Sequence, residues 1–434
     1  MGSYLVRSRF AKTDAAEAID TSCSPERPPY TMPIRKRFTR RHYKLASVDL
    51  SFTVTATDGR ARRGRLTLPH GVIETPAFMP VGTRAAIKGL TFDQVDALDP
   101  DIILANTYHL HLRPGDPLIA RAGGLHQFMG WQKPILTDSG GYQVFSLAGR
   151  RTITEEGAAF RSHIDGAAHL LTPESVVDIQ ARLGSDIAMV FDECAPWPAD
   201  REVVEAAMER TLRWARRGRD RFQALQQGRA PDVPRATPGQ AQFGIIQGGT
   251  HLDLRDRSVA GTLAVGFDAY AIGGLSVGEP VDVMYDVVAH TAAQLPEHLP
   301  RYLMGTGMPD DLIECVARGI DMFDCVLPTR NARNGQLLTR RGVIAIKNAR
   351  YAEDFSPPDP DCTCSTCRRH TRAYLRHLYM VGEMTAAALN TVHNLHFYLD
   401  TMRSIRNAIE FGTFDELRQA FHQTFTRQRV PLND

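Results

Sequence analysis

With 434 residues, 43% of them hydrophobic and 23% charged, the chain can bury a large core without cross-links, and no apolar run approaches the roughly 18 residues of a membrane span. Its seven cysteines are an odd number, and four of them (Cys23, Cys194, Cys315, Cys325) are scattered, which speaks against a disulfide framework and suits a reducing, cytoplasmic setting. The formal charge of +2 is unevenly spread: residues 1–45 and 329–376 each carry ten Lys/Arg against four Asp/Glu, so two basic zones sit on an acidic body. Such zones suit a polyanion partner, because clustered cations displace counterions from phosphates; a solvated face without a partner accounts for the same charges.

Residues 1–45 have little apolar periodicity and are expected to form a disordered basic extension, within which Met32 is an alternative start. The start lacks a signal peptide's apolar centre, and Asp14, Glu17, Asp20 and Glu26 weigh against a mitochondrial address. From Ser51, the alternating stretch SFTVTATDGRARRGRLTL predicts a hairpin turning at Asp58-Gly59. Eight short apolar runs follow, each stopping at a polar or glycine corner: PAFMPVG at 76–82, DIILANTYH, PILTDSGGY, DIAMVFDEC, FGIIQGG, YAIGGLSVG, RYLMGTG and DMFDCVLPT. Between most of them lie amphipathic helical patterns such as REVVEAAMERTLRWARRGRDRFQAL and VDVMYDVVAHTAAQL.

Runs of this kind belong to a parallel sheet covered on both faces, so the predicted class is α/β. An open doubly wound sheet shares much of the pattern. The placement of Asn106, Asp138, Asp192, Gln247 and Asp324 at the C-terminal ends of five different runs favours a closed (β/α)8 barrel, whose active sites assemble on that rim. A lone aspartate there is ordinarily a turn former or helix cap; five polar residues at equivalent positions are harder to explain that way. The barrel with its N-terminal hairpin is expected to span 46–430, including an inserted subdomain at about 335–400.

The stretch DSGGYQVFS opens at Asp138 with a glycine loop that lets a planar ligand approach the backbone and a ring, Tyr142, to stack on it; a glycine turn before a helix is the plainer reading. In FDCVLPTRNARNG a strand-end carboxylate, Asp324, precedes Arg330 and Arg333, which suits an enzyme acting on a nucleic acid. Two carboxylates facing one cleft can divide the work at a glycosidic bond, one attacking the anomeric carbon and the other moving protons, without a metal. The stretch CTCSTC supplies three soft ligands, Cys362, Cys364 and Cys367, and a closed structural zinc site takes a fourth, with His370, His377, His393 and His396 as candidates.

The ordered set DSGGYQVFS, FDEC, GIIQGG, GGLSVGE, LMGTG, DMFDCVLPTRNARNG and CTCSTC with a later TVHNLHFY resembles the tRNA-guanine transglycosylases, from about Ser51 to near the C-terminus. The resemblance implies Asp324 as nucleophile and Asp138 as general acid/base. It implies Asp192, Gln247 and the backbone of Gly274 and Leu275 as base-recognising groups, Tyr142 and Met304 sandwiching the base, and Ser139 in support. Cys194 and Val277 look like the bacterial branch, which inserts 7-aminomethyl-7-deazaguanine in exchange for the wobble guanine in the tRNA anticodon loop. The family pattern selects His393 as the fourth ligand of a structural Zn²⁺, leaving His396 to packing or solvent. It also implies a homodimer built on the insertion, with Tyr374 and His377 as contacts. The competing functions are a non-catalytic tRNA-binding paralogue, disfavoured by the presence of both carboxylates, and a saccharide glycosidase, which leaves the cysteine cluster unexplained.

Overall fold

The computed structural model describes residues 50–147 and 151–425; the expected N-terminal extension lies outside the described residues. The eight apolar runs form eight strand positions of one parallel barrel: β1 (Ala77–Met79, continued past Pro80 by Val81–Gly82), β2 (Ile103–Ala105), β3 (Ile135–Thr137), β4 (Ile187–Met189), β5 (Ala241–Ile246), β6 (Ala269–Ile272), β7 (Arg301–Leu303) and β8 (Met322–Asp324). Closure comes at β1. Its first part pairs with β8 (Phe323 opposite Phe78) and its second with β2 (Val81 opposite Leu104), so the two edges of the sheet meet on either side of a proline. A proline cannot donate to a ladder and is tolerated at such a break. Nearly all strand residues are buried, as expected of parallel strands covered on both faces.

Helices Phe92–Leu98, Pro173–Leu183, Arg201–Gln226, Leu252–Val265, Val281–Ala292, Pro309–Val316 and Met384–Phe411 alternate with the strands. The predicted hairpin exists as Ser51–Asp58 and Ala61–Leu68, turning through Gly59 at φ +59, and a third strand, Gly71–Thr75, extends it. Arg62 fastens this sheet to the N-terminal end of β8: its guanidinium pairs with the fully buried Asp321 and donates to the Glu297 and Leu299 carbonyls at 2.7 and 3.0 Å. The sequence reading missed the antiparallel sheet Arg151–Ile153, Ala158–Arg161 and Ala168–Leu171 between β3 and β4, whose strands are short and poor in β-branched residues.

The insertion follows β8. Helix Leu327–Arg333 leads to a two-stranded hairpin, Gln336–Thr339 and Gly342–Ala345, then to short helices Ser365–Arg369 and Arg372–Met380. The stretch RRHTRAYLRHLYMVGEM is thus interrupted: Thr371 caps a new helix by accepting from Tyr374 N at 3.2 Å, and His370 ends the previous one. Helix Met384–Phe411 then runs from the insertion into the outer ring of the barrel. Asn394 on it accepts from Leu338 N and donates to the Pro328 and Gln336 carbonyls, all at 3.0 Å, while Arg406 near its far end reaches the Pro76 carbonyl at 2.8 Å. No described helix is long and apolar enough to cross a membrane.

Candidate active site and metal centre

The glycines of DSGG are required by what lies against them. Gly140 has φ +80, and a Cβ there would approach Tyr108 N to 3.1 Å; a Cβ on Gly141 would stand 2.7 Å from the Asp192 carbonyl oxygen. The loop after β3 is therefore wedged between helix Thr107–Leu112 and the end of β4. This brings Asp138 against the residues that follow β2: its carboxylate accepts from Thr107 N at 2.8 Å and from the Asn106 amide, and the Thr107 hydroxyl donates to the Asp138 carbonyl at 2.5 Å. Burial pushes the Asp138 carboxyl up to about 6; the bonds from Asn106 and Thr107 restrain the rise, and the nearby charge of Asp324 adds to it.

Asp324 stands at the end of β8, half-buried. Its Oδ1 accepts from the Tyr302 hydroxyl at 2.5 Å and from Gly305 N at 2.9 Å, both on or just beyond the neighbouring β7. Burial raises its pKa and these two donors oppose the rise. The two carboxylates thus sense one another across the rim, each held by donors from the strand beside it.

Asp192, Gln247 and Gly274 follow the adjacent strands β4, β5 and β6 and form one wall. Gln247 Nε2 donates to Asp192 Oδ2 at 2.7 Å and Ser139 Oγ donates to Oδ1 at 3.2 Å. Burial lifts Asp192 to about 6 against the bonds from Gln247 and Ser139. Gly274, at φ +66, packs so closely that a Cβ would sit 2.3 Å from Gln247 Oε1, and one on Gly273 would sit 2.9 Å from Gln247 Nε2. Leu275 is buried beside them. Cys194 is half-buried two residues past Asp192; burial first, then the Asp192 charge, pushes its thiol up to about 12. Tyr142 is 56% exposed and follows β3, whereas Met304 is half-buried and follows β7; four strands apart in an eight-stranded ring, they belong to opposite walls. Such an arrangement offers a planar ligand two sides, a carboxylate-and-amide edge and two carboxylates that differ in company.

Several residues here carried no role in the sequence reading. Asn106 stood out only as a strand-end polar group, and Thr107 and Tyr302 not at all. Glu279 accepts from Val277 N at 3.0 Å and from Ser276 N, gripping the turn where Ser276 takes φ +58; the Gly-Glu ending of GGLSVGE was its only signal. Arg330 is exposed and Arg333 half-buried on the helix just after Asp324. Burial, then Arg330, lowers the pKa of Arg333; burial, then Arg333 and Arg84, lowers that of Lys88, so these cations form one positive patch.

Cys362, Cys364, Cys367 and His393 converge although 26 to 31 residues separate the cysteines from the histidine. The three sulfurs lie 3.7, 3.6 and 3.2 Å from His393 Nδ1, and all four ligand atoms fall within 4.8 Å of one another. A tetrahedral ion with Zn–S of about 2.3 Å and Zn–N of about 2.0 Å would set its ligands roughly 3.5 to 3.8 Å apart, so the cluster fits such an ion. His393 Nε2 donates to the Leu338 carbonyl at 2.8 Å, which leaves Nδ1 with a free lone pair toward the sulfurs. His396 approaches Cys362 Sγ at 3.6 Å and Thr363 Oγ1 at 3.4 Å from outside the four, and His370 stacks on Tyr374 with ring centroids 5.1 Å apart. A further group, His70, His126 and Asp186, lies at the N-terminal ends of β3 and β4. Its imidazoles stack 3.5 Å apart, with His70 Nδ1 on Asp186 and His126 Nε2 on Asp186 and the Lys133 carbonyl, which suits a hydrogen-bonded structural pair.

The sequence profile described as "Queuine tRNA-ribosyltransferase" matches residues 57–427. Curated proteins of that name are similar along nearly their whole length: one from Shewanella sp. (strain ANA-3) is 51% identical over 89% of this chain and 100% of its own. One from Oleidesulfovibrio alaskensis is 52% identical over 87% and 97%, and one from Pelotomaculum thermopropionicum 54% over 86% and 98%. Together with the barrel, the paired carboxylates on its rim and the Cys3His cluster, this match means that the chain belongs to the queuine tRNA-ribosyltransferase family of pentosyl-transferring enzymes.

Proposed function

We propose that this chain is a tRNA-guanine transglycosylase of the bacterial type, exchanging the wobble guanine of tRNAs with GUN anticodons (Asp, Asn, His and Tyr) for 7-aminomethyl-7-deazaguanine in queuosine synthesis, in the cytoplasm. The observation that carries the reading is the pairing of Asp138 and Asp324 on the rim beside the Asp192–Gln247 wall. The target guanine leaves its stack to enter the pocket between Tyr142 and Met304. Its ring N–H and exocyclic amine suit the two oxygens of Asp192, and its carbonyl suits the Gln247 amide and a backbone N–H at Gly274–Leu275.

Asp324 attacks the ribose C1′ as the bond to the guanine nitrogen breaks, and Asp138 donates the proton that the leaving base requires. The incoming base returns a proton to Asp138, and its ring nitrogen displaces the Asp324 carboxylate from the same carbon, so two inversions retain configuration. An acid near 6 can make both transfers close to neutral pH. Cys194 and Val277 limit the room for the 7-substituent, and Arg330 and Arg333 bind anticodon-loop phosphates.

Cys362, Cys364, Cys367 and His393 would hold one structural Zn²⁺, which when bound cross-links the insertion and supplies no chemistry to the transfer. The exposed Tyr374 and His377, with exposed Met380 and Met384 nearby in the chain, suit a homodimer face. The test is incorporation of radiolabelled guanine into tRNA with a GUN anticodon. Asp324→Asn should abolish the covalent tRNA adduct on a denaturing gel; persistence of the adduct would reject Asp324 as nucleophile.

A further inference from the structure

Arg255 occupies a position that simple energetics disfavour. It lies in the first turn of helix Leu252–Val265, where the helix dipole repels a cation, and its side chain is fully buried. Among the described residues no carboxylate hydrogen-bonds it. Instead Nε donates to the Gly249 carbonyl at 2.9 Å, and Nη1 donates to the Ile246 and Gly273 carbonyls, both at 2.8 Å. Nη2 has no hydrogen-bond partner among the described residues and lies 3.8 Å from where a Cβ of Gly274 would stand.

The three carbonyls belong to two loops. Ile246 and Gly249 flank Gln247, and Gly273 precedes Gly274. The loop after β5 sits directly on the helix start, since a Cβ on Gly248 would come within 2.9 Å of Arg255 N. A single planar guanidinium therefore ties the ends of β5 and β6, the two strands whose termini carry Gln247 and Gly274. Glu279 is the charged neighbour that opposes the burial cost, and that burial brings the guanidinium down to about 10. A lysine cannot reproduce the fork, because its single nitrogen cannot span three acceptors in one plane.

We propose that Arg255 is a positioning residue for base recognition, holding the Gln247 side chain and the Gly274–Leu275 backbone at their mutual spacing so that both meet the base edge together. This rests on the reading that Gln247 and Gly274 hold the base, and it adds a group that never touches the base itself. Arg255 bears on the affinity for the free base and not on the tRNA phosphates.

The test uses full-length protein in the guanine-exchange assay with two variants, Arg255→Lys and Arg255→Met. The first keeps the charge without the planar fork and the second removes both, which separates charge from positioning. Both variants are expected to raise KM for free guanine by about tenfold to a hundredfold, in line with small misplacements at a site. KM for tRNA should stay within about twofold, since phosphate contacts lie elsewhere on the rim. Both variants should fold, with Arg255→Met melting below the wild-type temperature because the Ile246, Gly249 and Gly273 carbonyls lose a donor. Guanine KM unchanged in both variants, or guanine and tRNA KM rising in parallel, would overturn the assignment. Failure of both variants to fold would make Arg255 purely structural and overturn it equally. Absence of exchange by the wild-type protein would instead reject the underlying function.

Discussion

Asp138 and Asp192 are both pushed up to about 6 by burial, yet their surroundings prepare them for different work. Asp192 is bonded to groups on its own wall, Ser139 and Gln247, which suits an acceptor for a ligand's donors. Asp138 is bonded to the residues after β2 and senses the charge of Asp324. If Asp138 must carry a proton when tRNA binds, kcat/KM for tRNA falls as pH rises through about 6. The Asn106 amide favours the ionised form. Asn106→Ala removes that preference, so Asp138 holds its proton to higher pH and the falling limb moves up by about one pH unit. A pH profile of tRNA-limited exchange measures this; a limb that stays put or moves down would reject either Asp138 as the acid or the role of its amide partner.

At the scale of elements, the insertion depends on contacts between segments far apart in the chain. The CTCSTC stretch marked three candidate metal ligands, because three cysteines in six positions have few other uses. The choice among four histidines was not legible from spacing and came from the family pattern. The fold makes it physical: His393 faces the sulfurs because its helix is held against strand Gln336–Thr339 through Asn394 and through its own Nε2. Replacing Cys364 with Ala, or stripping the metal with a chelator, should loosen helices Ser365–Arg369 and Arg372–Met380 while the barrel persists. Limited proteolysis should then cut first within about 335–400. Cuts distributed over the barrel, or unchanged resistance with lost exchange activity, would contradict a structural metal.

At the scale of the whole molecule, the barrel floor is secured by one buried ion pair between the N-terminal sheet and β8. Asp321 is fully buried and Arg62 nearly so. Burial raises the Asp321 pKa; Arg62 chiefly opposes the rise, with the Arg301 N–H and guanidinium behind it, so removing Arg62 takes the nearest cation from a buried charge. Arg62→Ala is expected to cost about 3–5 kcal/mol near neutral pH, read from urea unfolding midpoints. Protonation of Asp321 removes the stranded charge, so the deficit should narrow on acidification. A loss below about 1 kcal/mol, the scale of an exposed pair, would mean that the sheet is held by its apolar contacts alone.

The eight strands, their parallel class and the polar residues at their C-terminal ends could be read from the chain because burial on both faces leaves a local mark: short apolar runs stopped by glycine or polar corners. The pairings that set the site left no such mark. Asn106 with Asp138 spans 32 residues, Tyr302 with Asp324 spans 22 and Asp192 with Gln247 spans 55, and each exists only because parallel pairing sets neighbouring strand ends side by side. Arg255 makes the same point most sharply. In sequence it is one cation among several in LDLRDRS, on a segment with no resolved charge pattern, and its burial follows from two glycine loops that fold over a helix start. Periodicity is a property of neighbours along the chain, whereas these contacts depend on register between strands, which the closed ring imposes.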